Sequence, residues 1–414
     1  MWVETDFMLS REEFVKDALS NYSELPQESN PLYKKYSMEV SLPESNHAKD
    51  SKELERISRQ VSESTKIKFD AIVSGEASKS NGDLVKVAKW EDLYAHFDGK
   101  KLFKSSDDKL AAYVNAYSRD FLVINAEGKE DKRVNLLFLN SESLAVQVII
   151  NAAAGSKVNV FEIFVSESEK KGAVAVLHEI NAADGSEVEI NALHNEGRET
   201  DVVNLYKADV GNSTKLRANF VYNGGHVTKS RGIVDSSGTE SIVDINEIAF
   251  GNGSQRFDLS NSISNTRPRS HAQLNSGAVL DGNSQCMLKG FAKVEKGTKG
   301  CFSRITERGI LLSPDAHIDA LPDMSIDYSN EVKATHSAAT SPIDKEALFY
   351  LQSRGLEEAQ AKKAFIIAFI SKYLSNMANG AASEVAMDVM LQKLERGTFG
   401  IISDLDAKGV WISK

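Results

Sequence analysis

Cysteine is nearly absent from this 414-residue chain: only Cys286 and Cys301 occur, and not at CxxC spacing. Two isolated thiols exclude a disulfide framework, and a four-thiolate metal or cluster site made by this chain alone. They read as free structural thiols. The eight histidines stand singly, with no HxH or HExxH pattern. Proline is scarce as well, and none occurs between Pro43 and Pro268. A long proline-free stretch suits stacked strands, because proline cannot donate a ladder hydrogen bond. Apolar runs of membrane-spanning length are missing, so no transmembrane segment is expected. The opening MWVETDFMLSREEF is acidic where a signal peptide carries a basic and then an apolar stretch, which predicts a cytoplasmic protein. There is no basic excess either. The net charge of −10 argues against a nucleic-acid footprint.

What is present divides into three regions, since 414 residues exceed one compact core of ordinary size. Residues 1–105 read as helical and mixed. REEFVKDALSNY carries early acids and apolar Phe14, Ala18 and Leu19; ESNHAKDSKELERISRQVSEST is polar and expected to be solvated; DLVKVAKWEDLYAHF, 83 to 97, has enough apolar content to pack. Residues 106–341 change character. SEVEINAL alternates Val188, Ile190 and Ala192 against Glu187, Glu189 and Asn191, and KLRANFVYN alternates Leu216, Ala218, Phe220 and Tyr222 against polar neighbours. This period of two means half-buried strands. Glycine followed by a small polar residue recurs at 155, 185, 211, 238, 253, 282 and 297, at spacings of 30, 26, 27, 15, 29 and 15. Such an imperfect repeat fits one strand–turn–strand unit that stacks on its neighbours to share a core, with glycine supplying a positive-φ corner. A parallel β-solenoid is therefore expected in preference to a β-sandwich, and the lack of helical patterns between strands disfavours a doubly wound sheet. Residues 342–414 are helical. PIDKEALFYLQSRG ends on an Arg354-Gly355 stop. In the next helix Phe365, Ile366, Phe369, Ile370, Tyr373 and Leu374 form one apolar stripe. Such helices either cap the open end of a solenoid or offer a docking surface.

Enzyme chemistry finds little support. A solenoid carbohydrate lyase or hydrolase needs paired acids on one face, and the candidates Asp244, Glu247, Asp258 and Asp281 are not fixed at pairing distance by anything in the sequence. TRPRSHAQ, residues 266 to 273, is the densest cationic stretch and pairs more naturally with the acidic excess than with phosphate. GxGxxG and GxxxxGK[ST] are both absent, so no nucleotide is expected on this chain. His336 lies among Ala334, Thr335, Ser337, Ala338 and Ala339. Small neighbours leave its imidazole free to project from a sheet edge, either as a structural histidine or as part of a shared metal site.

ATHSAATSPIDKEALFYLQSRGL (334–356) and the following EEAQAKKAFIIAFISKYL resemble the C-terminal signature of the SufB/SufD family of iron–sulfur cluster assembly proteins. GILLSPDAHIDALPDMSID, 309 to 327, is similar to the family's last rung, with Pro322 in place; similarity covers about 220 to 380. The resemblance implies a right-handed parallel β-helix core flanked by N-terminal and C-terminal helical regions, in a non-enzymatic scaffold. It implies docking of a SufC-type ABC ATPase on the C-terminal helices, where Tyr350, Arg354, Phe365 and Phe369 are the candidate contacts. It also implies pairing through the β-helix with a SufB-like chain, or with a second copy of itself as a stand-alone homodimer. The resemblance further implies a transient iron–sulfur cluster at that interface, with His336 as the metal ligand carried over. Ala316 stands where SufB-like chains carry cysteine, and Ser337 where they carry glutamate. The chain therefore looks like the SufD branch.

Overall fold

The computed structural model describes residues 11–28, 34, 37–43, 51–74, 79–80, 84–88, 104–105, 107–140, 142–166, 171–327 and 331–396. Two sheets face each other across a common core. One contains β5 (Asp131–Asn140), β7 (Lys157–Ser166), β9 (Glu187–Asn195), β11 (Lys215–Tyr222), β13 (Ile242–Gly251), β15 (His271–Leu280), β17 (Phe302–Leu311) and β19 (Lys333–Pro342), in that order. The other contains β4 (Asp120–Ala126), β6 (Ser143–Ala152), β8 (Gly172–Ala182), β10 (Thr200–Val210), β12 (Val227–Ser236), β14 (Arg256–Asn265), β16 (Gln285–Val294) and β18 (His317–Ile326). Because the chain alternates between the sheets and every one of these pairings is parallel, it is a parallel β-solenoid of about 7 turns, as expected. Short strands β1 (Ala71–Val73), β2 (Lys79–Ser80) and β3 (Val85–Ala88) begin the two sheets, and β2 and β3 pair antiparallel to their neighbours. Of the segment 83 to 97, only 84–88 fall within the described residues. The leading MWVETDFMLS falls outside them.

The imperfect sequence repeat has a geometric cause. Outward asparagines that stack on adjacent rungs are 26 to 30 residues apart, whereas the spacings of 15 run between opposite corners of one rung. The expectation of positive φ at every repeated glycine is met at Gly155, Gly185, Gly253, Gly282 and Gly297. At the other two turns Ser213 and Glu240 take the left-handed conformation instead. Gly238 is required there for closeness: a Cβ on it would lie 2.0 Å from the Gly211 carbonyl carbon.

The interior is not wholly apolar. Register places Glu162, Ala192, Phe220, Glu247, Ser276, Glu307 and Ala338 in one inward column. The facing column carries His178, Tyr206, Gly232, Asn261, Gly290 and Pro322. His178 Nε2 meets Glu162 at 2.8 Å. Deeper along the axis, Glu247 accepts from Ser230 at 3.0 Å, from Tyr222 at 3.3 Å, and from the Asn261 amide. Burial raises the Glu247 carboxyl from its ordinary 4.5 to about 7, against the hydrogen bonds of Ser230, Asn261, Tyr222 and Ser276 that lower it.

Helices cover the two outer faces. The polar segment expected to be solvated forms the helix Ser51–Thr65, which buries Ile57 and Val61 against Leu137, Leu139 and Phe161 of the odd-numbered sheet. Two apolar positions one turn apart suffice to seat an otherwise charged helix. On the other sheet, the helix Lys109–Tyr117 is capped by Asp108, whose side chain accepts from Leu110 N at 2.6 Å. It buries Leu110, Ala111 and Val114 with Met38 and Val40 against Ala175, Leu177 and Val203. Buried ions fasten the N-terminal segment to this face. Asp258 lies 2.7 Å from Lys229 and 2.6 Å from Lys289, and accepts from Met38 N at 3.1 Å. Burial pushes the Asp258 carboxyl up, and the two ammonium groups outweigh it, holding the carboxyl below its usual range.

Two outcomes follow from these buried groups. The Glu247 contribution is full below pH 4.5, where folded and unfolded chains both hold the proton, and is lost as pH rises through about 7. Glu247→Gln is expected to flatten that slope, on the order of 3 kcal/mol between the two limits. Thermal melts across pH 5 to 8 check it, and parallel curves for variant and wild type would refute the assignment. Asp258→Ala leaves Lys229 buried without its carboxylate and Lys289 with the more distant Glu28 at 3.7 Å, and is expected to destabilise by about 3–5 kcal/mol. Its loss in urea titration should be nearly independent of salt, as the pair is shielded from solvent.

Candidate functional site

A parallel strand satisfies its outer backbone groups only when another strand follows, and among the described residues none follows β18 or β19. Among the described residues the solenoid therefore ends on two unpaired edges. β19 reads KATHSAATSP, and all of its ten residues but Ala334 are exposed. In β18 only Ile318 is fully buried, while Ile326 is 45% exposed. Small side chains on β19 cannot shield the backbone, and Pro322 leaves β18 one backbone donor short. His336 lies on β19 opposite Ile305, in the column that faces the interior on earlier rungs, and it is exposed at the open end.

The C-terminal helices do not cap this end. The helices Glu358–Leu374 and Gly380–Arg396 lie along the outer face of the odd-numbered sheet and bury Ile366, Ile370, Tyr373, Leu374 and Met390 against Leu193, Val221, Ile248 and Phe250. The cause is the apolar outer column of β9 to β17, which needs a cover more than the small-residue end does. Tyr373 sits where a Cβ on Gly277 would come within 2.4 Å of its ring. Its linker is tied to the sheet by Ala378 N donating to Glu189 at 2.8 Å and by Asn376 donating to Asn246 at 2.9 Å. Lys393 is buried with its Nζ donating to Gln255 Oε1 at 2.7 Å and to the Asn223 and Phe250 carbonyls. Burial, with a smaller push from Arg198, holds that lysine well below its usual range.

By contrast the short helix Lys345–Ser353 buries none of its residues. Asp344 caps it by accepting from Glu346 N at 2.9 Å, and Gly355 ends it at φ +94°, as the Arg354-Gly355 stop predicts. Phe349 and Tyr350 are 72% and 57% exposed, and Arg354 lies over the Tyr350 ring at 5.3 Å. Sequence reading did not single out Phe349; its place among the polar residues of a short helix is the signal. Phe365 and Phe369 are half-buried against the sheet-covering cluster. The candidate contacts therefore fall into two groups: Tyr350 on an exposed helix with Arg354 at its C-cap, and Phe365 and Phe369 on an anchored helix.

The remaining candidates do not converge. Asp244 and Glu247 sit on opposite faces of β13, one beside Arg217 in an outer groove of about 390 Å³ and one inside the core. Asp258 is engaged by two lysines and Asp281 is exposed at a turn. The paired acid face that a carbohydrate-active solenoid needs is not assembled from them. Both cysteines are free and buried; burial, then the carboxylates of Glu247 and Asp258, raise the Cys286 thiol far above its usual range, so neither offers a surface thiolate. Ala316 is buried at the base of β18. Among the described residues no three His, Cys, Asp or Glu side chains form a ready metal site, and no helix is long and apolar enough to cross a membrane.

Comparison with known proteins agrees with this architecture. Residues 138–369 match the family model described as SUF system FeS cluster assembly, SufBD core domain. The iron–sulfur cluster assembly protein SufD of Bacillus subtilis is 25% identical over 326 residues, covering 77% of this chain and 72% of that one. SufD of Escherichia coli is 21% identical over 254 residues, covering 60% and 58%. A SufBD family protein of Pyrococcus horikoshii is 27% identical over 289 residues, covering 67% and 63%. The chain thus spans less than two thirds of the length of the last two. With more than half of its residues inside the SufBD core match, the chain belongs to the SufBD family of iron–sulfur cluster assembly proteins, in its SufD-like branch.

Proposed function

We propose that this chain is a non-catalytic SufD-like scaffold of a cytoplasmic SUF complex. It pairs through the open end of its solenoid with a SufB-like chain or a second copy, and docks a SufC-type ABC ATPase through the short helix Lys345–Ser353. The nascent iron–sulfur cluster is the cargo, held transiently at the pairing interface, where His336 supplies one imidazole. A site of this kind must be completed by the second chain, because this one presents no thiolate at its edge. Two reduced, buried cysteines suit a reducing compartment.

The observation that carries the reading is the continuity of edge strand and free helix. An exposed edge is a pairing template. Here the edge strand β19 ends at Pro342 and only Ile343 separates it from the Asp344 cap of the exposed helix. The following helices are anchored on the sheet through Tyr373, Asn376, Ala378 and Lys393. Nucleotide-driven movement of a docked ATPase would therefore bear on β19, which carries His336 and is tied along one side only, to β17. Closure of the ATPase would reshape the edge, and with it the cluster site, without unpacking the core. No nucleotide is bound by this chain and no residue acts as a catalyst.

The test is co-purification with a SufC-type ATPase. Phe349→Asp combined with Tyr350→Asp is expected to abolish the complex with no change in melting temperature, since neither side chain is buried. Deleting residues 342–414 is a poorer experiment because it strips the cover from an apolar sheet face. An ATPase that ignores the wild-type chain would refute the proposal, and a complex that survives the double substitution would move the dock to Phe365 and Phe369.

A further inference from the structure

Two buried carboxyls two rungs apart share the same inward column, and only one is accounted for by its neighbours. Glu247 is held by Tyr222, Ser230, Asn261 and Ser276. Glu307 has no exposed surface, and neither of its carboxyl oxygens has a hydrogen-bond partner of good geometry. The main-chain N–H groups of Gly290 and Leu321 come near enough to lower its carboxyl, against the larger effect of burial, without reaching hydrogen-bond geometry. A buried carboxyl without a partner is costly, and a side chain kept in that state calls for an explanation beyond packing. Packing supplies none here, since the same column accommodates Ser276 and Ala338 on either side.

The surroundings of Glu307 are spare in the direction of the open end. Gly290 faces it across the interior, where a Cβ would come within 3.0 Å of Glu307 Oε1. Above it in the column stands Ala338, on the exposed strand β19, and above Gly290 on the opposite wall stands Pro322. One methyl-sized layer thus separates the carboxyl from the end of the solenoid. His336 pairs with Ile305, two residues before Glu307, so it is the diagonal neighbour of Glu307 on the next rung. Diagonal neighbours on adjacent strands lie roughly 7–8 Å apart, within reach of long side chains. A glutamate and a histidine at that separation can turn a carboxylate oxygen and an imidazole nitrogen onto one ion.

We propose that Glu307 is the inner ligand of a ferrous-ion site at the open end of the solenoid, completed by His336 and by groups of the chain that pairs there. The identity of the ion rests on the assembly reading above; the site itself rests on the unpaired carboxyl and its exposed histidine neighbour. Oxygen and imidazole donors suit a first-row divalent ion. A pairing chain laid over β18 and β19 would supply the missing donors and exclude water. Glu307 then receives iron ahead of cluster formation, and β19, the strand a docked ATPase would pull on, forms its cover.

Anaerobic equilibrium dialysis of the full-length chain, in complex with the chain that pairs at its open end, against ferrous ion alone tests this. The wild type is expected to bind close to one ion per chain, Glu307→Gln to weaken binding at least tenfold, and Glu247→Gln to leave it unchanged. Melting temperature reports folding of each variant. Ala338→Leu, on an exposed strand, covers Glu307 without touching the core and is expected to reduce uptake by a similar factor; it decides the matter if Glu307→Gln fails to fold. Wild-type affinity in Glu307→Gln, or no uptake by the wild type, overturns the proposal. A chain that forms the ATPase complex yet takes up no iron loses only this site. One that binds iron through Glu307 but ignores the ATPase loses only the assembly reading.

Discussion

Parallel pairing is the constraint on which the rest depends. Each rung of a parallel coil leaves one row of backbone donors and acceptors for the next rung to satisfy, and the series has no internal reason to stop. At its beginning the solenoid solves this with short strands that turn antiparallel, β2 against β1 and β3 against β4. At its end the described residues include no such device. β19 carries small side chains, and among the described residues neither a helix nor a hairpin lies over it. Soluble proteins normally blunt such an edge with lysine, bulges or a covering element. On the proposed reading, an edge left open over ten residues, beside a second one, is half of an interface.

The interior shows a second departure from a simple core. In-register stacking favours identical neighbours, and the outer asparagines 191, 219, 246 and 275 follow that rule, each amide donating to the one below. The inner column instead alternates carboxyls with apolar and small residues. Glycines make this sterically possible: a Cβ at Gly232 would lie 2.0 Å from the Tyr206 ring, so the backbone there yields its space to a tyrosine and an asparagine. The resulting network around Glu247 specifies how the two sheets sit across from one another, whereas a uniform apolar filling would tolerate slippage.

Much of this was legible in the sequence. Period-two alternation, the proline gap and the spacing of glycines near 27 to 30 reveal a stacked parallel array, because each reflects a local backbone requirement. The helix stop at Gly355 and the apolar stripe from Phe365 to Leu374 are equally local. What escaped is what depends on register. No pattern in the sequence shows that Glu162, Glu247 and Glu307 share a column, since one residue of slip would move all three to the surface. The same holds for Asp244 and Glu247, only three apart in sequence, which an odd spacing sends to opposite faces. The helix Ser51–Thr65 escaped for another reason: its charged composition hides two well-placed apolar residues. The position of the C-terminal helices was open because amphipathicity says that a face is buried, and not against what.

Register also explains why the free helix and the edge belong together. Every rung but the last is clamped between two neighbours, so a force applied at any earlier strand would have to break two ladders at once. β19 has one ladder, little side-chain burial, and a covalent link of two residues, Ile343 and the Asp344 cap, to a helix with no buried side chain. The anchored helices beyond it fix the far end of that segment, through a buried lysine and a tyrosine seated over Gly277. Between these fixed points, β17 on one side and the helix Glu358–Leu374 on the other, lies a stretch with little side-chain burial. It holds His336 near one end and Phe349 with Tyr350 near the other. Movement at the helix therefore reaches the histidine through about a dozen residues of nearly extended and helical chain, with no need for a path through the core.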